Sequence, residues 1–488
     1  MTVGTLIPKP CAWTPSPLMT WIDDELQSLH LGDQRLNRRG RLLLERLFAN
    51  PQASLNAACQ GWAETHAAYQ FFDNDKAQPE RILQPHQQAT RQRMAQHPVV
   101  LLVQDTTELD YTDHPPTGAG PLDAEDRLGF LDHSHVAFTP AGLCLGVLAV
   151  DLWARSPDGF GQSKQRQYDP LPTKETYRWL QGYRLACRTA QELPQTRIIS
   201  VADCEGDLFE VFVEAAAPGG AKAEYVIRVG KDRALTERDP QAGPYAYRKL
   251  RTAMDSAPLL ARRQLELPRT PKRAARTAAL EIRAQAVLLK APYRKHERLP
   301  EVQVRVVLVQ EVGAPAGVEP IEWLLVTSLP IDTAAAVLQV VDYYTGRWPI
   351  EVYFRVYKGG CTVEQLQLET AERLRPCLML YKIVAWRVLY LTMLGRDVPD
   401  LPCEVVFTPQ EWKPVWRVAT KKGLPPQPPS LGALIGLLGQ LGGHNGRKGD
   451  GAPGAAALWR GIRRMADLAL AWQTFGPEGH QTSPVLRE

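Results

Sequence analysis

Two apolar strands, each followed by an aspartate, most constrain what this chain can fold into. Val99–Val103 is a continuous apolar run with Asp105 two positions beyond it, and a second strand, Arg197–Ala202, is followed directly by Asp203. A continuous apolar run is expected of a strand that is covered on both faces. Reactive groups gather at strand ends in such sheets. Both aspartates are therefore candidate site residues, although a single aspartate there is more often a turn residue or a helix cap.

The segments that follow alternate strands with helices. We predict strands over Gly142–Trp153 and Glu224–Val229 and a helix over Glu175–Leu193. Asp207 should open a further helix, because Glu210 three residues later completes a capping-box arrangement. Strands followed by helices in this order predict an α/β layer fold.

Residues 235–330 depart from this alternation and predict a β-rich insertion into the α/β domain. Strand patterns follow one another there without long helices between them. The predicted strands are Leu280–Ala286, Val302–Val309 and Trp323–Thr327. The insertion also carries a basic segment, which consists of Arg262, Arg263, Arg269, Lys272, Arg273 and Arg276 beside Glu266.

Helical patterns occupy both ends of the chain and divide it into domains. They cover residues 1–90 and return from Thr333 to Leu394, and a Pro-rich linker over residues 421–429 precedes a last helical unit. At roughly 150 residues per domain, the 488 residues predict three domains. We place them at residues 1–90, 91–400 and 401–488.

Composition excludes several classes of protein. The chain has 57 Lys and Arg against 53 Asp and Glu, so its net charge of +4 excludes a wholly cationic binder and confines nucleic-acid affinity to local patches. Its eight cysteines form no Cys-x-x-Cys pair, which argues against a structural zinc site and a disulfide framework. No apolar run reaches about 18 residues, and Met1–Pro10 lacks a signal-peptide core. We therefore expect a cytoplasmic protein without a membrane segment.

A basic helix is predicted near the N-terminus. Asp33 can cap it, and its polar face carries Arg35, Arg38 and Arg39. For a basic helix alone, a solvated face is the commoner explanation. The functional explanation is contact with nucleic-acid phosphates.

Four polar residues fall in one stripe of a later helix. Tyr344, Arg347, Glu351 and Lys358 all lie within one narrow sector at about 100° per residue. A salt-bridged exposed face would account for the Arg–Glu pair but has no need of the tyrosine. Pro349 lies inside the pattern and predicts a kink that would move Tyr344 and Arg347 out of the stripe.

The spacing Tyr-x2-Arg-x3-Glu-x6-Lys resembles the signature of the insertion-sequence-four family of transposases, most closely its transposon-five-like branch. The resemblance extends over nearly the whole chain. It is carried by Leu31–Leu36, Ala68–Phe72, Asp105-Thr106-Thr107, Asp203-Cys204-Glu205-Gly206-Asp207, Trp323–Ser328, Leu441-Gly442-Gly443 and Leu458–Gly461.

The resemblance implies a fold and a reaction. It implies an RNase H-like mixed-sheet catalytic core over residues 91–400, preceded by a helical DNA-end-binding domain and followed by a helical dimerisation domain. The implied reaction is cut-and-paste transposition: a nick, a hairpin on the transposon end, hairpin opening and strand transfer. The implied partners are double-stranded DNA, as terminal inverted repeats and as target, and a second copy of the chain in the paired-end complex. A small-molecule substrate is not expected, and the implied location is the bacterial cytoplasm, on the nucleoid when DNA is bound.

The resemblance also assigns roles to residues. Asp105, Asp203 and Glu351 would bind two Mg²⁺ ions per active site, with Asp105 as the bridge and Mn²⁺ as a substitute. The remaining roles are phosphate contact for Tyr344, Arg347 and Lys358, base stacking for Trp323 and Trp348, and contact with the transposon end for Arg35 and Arg39. We expect Arg38, on the same helix, to bind DNA as well.

Other functions remain open at this stage. A domesticated relative that binds DNA or acts as a nuclease without transposing is the leading alternative, and a two-carboxylate sugar hydrolase is a second. His133 and His135 share a strand face, but no third ligand for zinc is evident. The stripe Leu458, Ile462, Met465, Ala469 and Trp472 is either a dimer seam or a face buried against the chain's own catalytic domain.

Overall fold

The computed structural model describes residues 21–124, 126–159, 169–243, 245–267, 274–294, 297–447 and 449–477. Arg269, Lys272 and Arg273 of the predicted basic segment lie outside these residues. The strands are β1 (Val99–Asp110), β2 (Gly120–Pro121), β3 (Leu128–Phe138), β4 (Cys144–Trp153), β5 (Arg197–Ala202), β6 (Glu224–Arg228), β7 (Ala234–Arg238), β8 (Tyr247–Lys249), β9 (Leu259–Leu267), β10 (Arg276–Leu289), β11 (Val302–Val312) and β12 (Glu322–Thr327).

The α-helices run through the whole described chain. They are α1 (Trp21–Glu25), α2 (Gln34–Ala49), α3 (Leu55–Cys59), α4 (Trp62–Phe72), α5 (Pro79–Met94), α6 (Tyr177–Glu192), α7 (Phe209–Ala216), α8 (Leu250–Asp255), α9 (Ala334–Thr345), α10 (Pro349–Arg355), α11 (Ala371–Asp397), α12 (Pro409–Thr420), α13 (Leu431–Leu441) and α14 (Ala455–Phe475). A π-helical turn, Val356–Gly360, directly follows α10. Helix α11 has the length and apolar composition of a membrane span, but 89% of its apolar window is buried inside the protein.

Contacts divide the chain into two compact units. The helical unit contains the described residues of 1–86, 360–362 and 376–488, and the sheet unit contains those of 87–359 and 363–375. An N-terminal helical region, a mixed sheet and C-terminal helices are thus all present, as predicted. The proposed domain boundaries at residues 90 and 400 stay predictions.

The sheet unit is built on one mixed sheet. Its strand order is β2-β3-β1-β5-β6-β12-β11-β10-β7-β8, with β4 also paired to β3 and β9 to β10. Strands β1, β5 and β6 are parallel neighbours. Strand β3 pairs antiparallel with β1 on one side and antiparallel with β4 on the other. The predicted insertion does form strands, but it is no separate sheet, because β12 pairs with β6 and continues the same ladder.

Both faces of the central strands are covered, as their apolar composition predicts. Val100 through Val103 are buried. A side chain added at Gly346, beyond α9, would collide with Leu101, whereas one added at Gly182 of α6 would collide with Gln104. Because successive side chains of a strand point to opposite faces, α6 covers one face of β1 and the α9–α10 region covers the other.

Two helix starts differ from the sequence prediction. Asp207 does not open a helix: its carboxylate accepts hydrogen bonds from the backbone N–H groups of Gly230 and Lys231 and pairs with Arg233, and α7 begins later. The capping-box prediction is therefore wrong, because a tertiary contact uses the aspartate. The kink at Pro349 is confirmed: α9 ends before it, and the proline occupies the first turn of α10.

The apolar stripe of α14 is only partly available to a partner. Leu458, Ile462 and Met465 are buried within the helical unit, where α14 packs on α12 and α13. Packing inside the helical unit thus already covers these three residues of the stripe. The exposed apolar side chains lie at the end of the helix, at Leu470 and Phe475.

The close packing of α13 on α14 gives a stability prediction. A methyl group at Gly461 would collide with the backbone carbonyl of Leu438, which cannot move without shifting α13. We expect Gly461→Ala to lower the free energy of unfolding by about 1–3 kcal/mol. Urea unfolding followed by circular dichroism measures the change.

Gly436→Ala in α13 is the matched control, because no atom lies within 4 Å of the added methyl group. It should raise stability by about 0.5–1 kcal/mol, since alanine loses less backbone entropy than glycine in a helix. Equal effects of the two substitutions would contradict close helix packing as the cause.

Candidate active site

The two aspartates lie side by side on one face of the sheet. Strands β1 and β5 are parallel, with Val103 opposite Val201. Two further residues along this register bring Asp105 beside Asp203, and both side chains point to the face covered by α9 and α10. Strand β1 continues to Asp110, so Asp105 lies within the strand instead of after it. Its neighbour β5 ends at Ala202, and the pairing of β1 with β5 stops at Val103, two residues before Asp105.

Arg347 joins the third carboxylate to the first. This arginine lies in the break between α9 and α10. Its Nη1 donates to Asp105 Oδ2 at 3.0 Å and its Nη2 donates to Glu351 Oε1 at 2.8 Å. The side chain of Arg347 is 11% exposed, whereas that of Glu351 is 55% exposed. A buried guanidinium thus holds an acidic side chain of the sheet and one of α10 in a single ion-pair network.

The pKa of Asp105 is shifted by its surroundings. Burial, together with the negative charges of Asp203 and Glu205, raises the pKa of Asp105 to about 7, against the lowering effect of Arg347. The backbone N–H of Thr106 also donates to Asp105 Oδ1 at 2.8 Å. At neutral pH the carboxyl group of Asp105 is therefore partly protonated, and a nearby cation would favour its charged form.

Three aromatic rings pack beside the carboxylates. Trp323 lies between Tyr344 and Trp348, with ring centroids 5.5 and 5.9 Å away. Trp323 is only 9% exposed and Tyr344 is also buried, whereas Trp348 is 39% exposed. In this conformation the accessible ring is that of Trp348. The predicted stacking role of Trp323 would require the ring to leave this cluster, and it stays a prediction.

Lys358 stands on the π-helical turn. Its Nζ donates to the backbone carbonyl of Glu108 at 2.7 Å and pairs with Glu364 at 2.9 Å. Single π-helical turns occur frequently at functional sites, because they re-aim side chains within a helix. The lysine therefore contacts β1 three residues beyond Asp105, on the strand that carries the site.

Two charged residues at the site were not found from the sequence. Glu205 follows Asp203 by two positions, and Arg228 ends strand β6 and hydrogen bonds with Tyr344. The position of Arg228 at the end of the third parallel strand was a usable signal, because β1, β5 and β6 end at the same edge. The role of Glu205 depends on the turn Cys204–Gly206, whose shape the sequence does not reveal.

The three predicted end-binding arginines lie on α2 in the helical unit. Asp33 caps this helix, as predicted. Arg35 is 90% exposed and pairs with Asp33, Arg38 is exposed, and Arg39 donates to Glu64. Arg35 and Arg38 are therefore more accessible to a ligand than Arg39.

The carboxylates are not arranged as a closed metal site. Among the described residues, no three His, Cys, Asp or Glu side chains converge closely enough to hold a metal ion. Arg347 accounts for this arrangement, because it stands between Asp105 and Glu351. His133 and His135 are buried on the other face of the sheet, where burial lowers both pKa values.

Two segments of the chain match known protein families. Residues 18–77 match the transposase DNA-binding family, and residues 383–472 match the transposase Tn5 dimerisation domain. A solved structure with some likeness is the cryo-EM structure of the piggyBac transposase synaptic complex with hairpin DNA. It is 9% identical, with a TM-score of 0.34, and the match covers 77% of this chain and 72% of that one. Both family matches lie in the helical unit.

The pKa of Asp105 gives a prediction for metal-free protein. A carboxyl group whose pKa is higher in the folded chain than in the unfolded chain destabilises the fold as pH rises from 4 towards 7. We expect Asp105→Asn, measured in EDTA, to raise the free energy of unfolding at pH 8 by roughly 1–3 kcal/mol. The gain should shrink as the pH falls to 4.5.

Urea unfolding at the two pH values measures this difference. Asp342→Asn serves as control, because Asp342 is a half-exposed carboxylate that pairs with Arg263 on the surface. A stabilisation by Asp105→Asn that is the same at both pH values would contradict the raised pKa.

Proposed function

Because the chain belongs to the Tn5-like transposase family, we propose that it binds transposon terminal repeats, cleaves them through hairpin ends and joins them to target DNA. The observation that carries the chemical part is that Arg347 joins Asp105 to Glu351 while Asp203 follows the strand that is paired with that of Asp105. Three carboxylates from separate elements, two of them on adjacent parallel strands, fit a phosphoryl-transfer site better than a structural ion pair.

We propose that strands β3, β4, β1, β5 and β6 form an RNase H-like core. The support is their order, β4-β3-β1-β5-β6, in which an antiparallel trio is followed by two parallel strands. Helix α6 leads into β5 on one face, and α10 brings the third carboxylate from the other. In this proposal the strands β7 to β12 are an insertion between β6 and α9.

The donor set suits a divalent metal ion with oxygen ligands. Asp105, Asp203 and Glu351 would hold Mg²⁺, or Mn²⁺ in its place, as two ions per site. Such ions, when bound, supply a Lewis acid that activates the nucleophile and stabilises the leaving oxygen. The raised pKa of Asp105 supports this assignment, because a cation there would relieve the repulsion among Asp105, Asp203 and Glu205.

Arg347 is proposed to exchange partners when DNA binds. Its guanidinium now neutralises Asp105 and Glu351. A DNA phosphate is a bidentate acceptor for arginine of the same kind as a carboxylate. When Arg347 turns to a phosphate, the two carboxylates become available as ligands. Lys358 and Arg228 stand nearby as further phosphate contacts, and Trp348 offers an accessible ring for an extruded base.

The helical unit is proposed to supply DNA-end binding and dimerisation. Arg35 and Arg38 present exposed cations on α2, within the segment that matches the DNA-binding family. Leu470 and Phe475 expose apolar surface at the end of α14, where the dimerisation match also ends. A two-fold complex is the economical way to cut two ends in concert.

A domesticated protein that binds or nicks DNA without transposing is the alternative. The presence of all three carboxylates with Arg347 weighs against a protein that only binds DNA. Sequencing the DNA on both sides of the gene would reveal matched inverted repeats, which provide the end DNA for the assays below. Strand transfer of such ends into a plasmid separates a transposase from a nuclease.

Substitution of the carboxylates tests the reaction. Asp203→Ala and Glu351→Ala should abolish Mg²⁺-dependent nicking of end DNA and leave end binding measurable, because the metal ligands are lost while phosphate contacts remain. A gel assay of nicking and a mobility-shift assay measure the two steps. Asp342→Asn, nine residues before Glu351, should leave both unchanged. Normal nicking by Asp203→Ala would remove this residue from the site.

The salt dependence of end binding tests the basic helix. Arg38→Ala should reduce the slope of log affinity against log salt concentration by about 1, because one phosphate contact is lost. Arg41→Ala is the control, since Arg41 is held by Asp23 and the carbonyl of Leu26. An equal change of slope in the two variants would contradict a direct contact by Arg38.

A further inference from the structure

A buried polar layer lies beneath the carboxylates, on the face of the sheet that α6 covers. It consists of the buried Gln104, His133, His135 and Ser200 together with the half-buried Thr106, which face one another across β1, β3 and β5. Buried polar side chains cost free energy unless they are hydrogen bonded. The hydrogen bonds within this layer therefore show what its polar side chains hold in place.

One chain of contacts links this layer to Asp105. Thr106 Oγ1 and His133 Nδ1 share a hydrogen bond of 2.8 Å, and the backbone N–H of Thr106 donates to Asp105 Oδ1 at 2.8 Å. His133 Nε2 lies 3.3 Å from Gln104 Oε1, whose amide in turn donates to Ser200 on β5 at 3.4 Å. His133 thus contacts the hydroxyl of Thr106 on one face of β1. The backbone N–H of the same residue holds the Asp105 carboxylate, which points to the other face.

His133 also packs against Trp179, a ring that lies next to the turn after Asp203. Its ring packs edge-on against Trp179 of α6, with centroids 4.7 Å apart. A Cβ at Gly206, in the turn that follows Asp203, would lie 3.0 Å from the Trp179 ring. Trp179 therefore packs against both His133 and the turn that follows Asp203.

We propose that His133 is a positioning residue for Asp105, which it orients through Thr106 from the opposite face of the sheet. The hydroxyl contact fixes the side chain of Thr106 and with it the peptide whose N–H holds Oδ1 of Asp105. Outer-shell partners of this kind typically change metal affinity or activity by about 10–100-fold when removed. The inference rests on the proposed function, since it assigns His133 to the site of that reaction.

Two conservative changes of Thr106 test the contact. Thr106→Val replaces the hydroxyl with a methyl group, and we expect it to lower the rate constant of nicking about 10–100-fold with unchanged affinity for end DNA. Thr106→Ser keeps the hydroxyl and should restore most of the rate. Wild-type nicking by Thr106→Val would overturn the proposal.

Amide substitutions of the histidine separate its two nitrogens. Asn places a polar atom near the position of Nδ1, and Gln places one near that of Nε2. His133→Asn should therefore retain the contact with Thr106 and most of the nicking rate, whereas His133→Gln should lose about as much as Thr106→Val. If His133 only supports the core, both variants lose activity in step with their unfolding midpoints, and this result would overturn the proposal.

Binding of Mn²⁺ gives a readout that does not depend on turnover. Electron paramagnetic resonance of free Mn²⁺, added to the full-length protein with end DNA, should show weaker binding for Thr106→Val and for His133→Gln. The double variant should be no weaker than either single one, because both changes break one contact. Additive losses would count against the proposal. If the wild-type protein neither nicks end DNA nor binds Mn²⁺, the proposed function fails. If the wild-type protein does both and the variants do so equally well, only the positioning role of His133 fails.

Discussion

The Asp105 carboxyl group is an ionisable side chain held largely out of solvent within strand β1, and the surrounding structure is arranged around that constraint. Burial and two neighbouring acids raise its pKa. The guanidinium of Arg347 lowers the pKa of Asp105 in turn and donates to its Oδ2, while the backbone N–H of Thr106 donates to its Oδ1. Because Arg347 lies where α9 breaks, the break at Pro349 is part of the site. A straight helix would carry the guanidinium elsewhere.

Much of this arrangement could be predicted from the sequence, because apolar runs determine which strands are buried. Val99–Val103 and Arg197–Ala202 identify the central strands, and parallel pairing brings Asp105 and Asp203 together. Pro349 predicts the helix break by removing an N–H donor. The spacing around it identified Arg347 and Glu351, although the ion pair that Arg347 makes with a strand 242 residues away is not a local property.

What the sequence did not reveal depends on contacts between distant segments. Asp207 has the position of a helix cap, yet the loop after β6 uses its carboxylate. The stripe on α14 has the periodicity of a seam, yet α12 and α13 cover its first half. His133 and His135 look like a metal pair by spacing, and only the pairing of β3 with β1 brings His133 to Thr106. In each case the local pattern is present in the sequence, but a distant segment determines which contacts its residues make.

The hydrogen-bonded continuity from β6 into β12 has a mechanical consequence. Backbone hydrogen bonds join β12 to β6 over three residue pairs, so β12 cannot move away from β6 without breaking them. A load on β10 or β11 would be transmitted through β12 to β6, which ends at Arg228 beside Tyr344. The inserted strands and the strands beside Asp105 and Asp203 therefore form one continuous hydrogen-bonded run, so a shift of β11 or β12 would reach β6 directly.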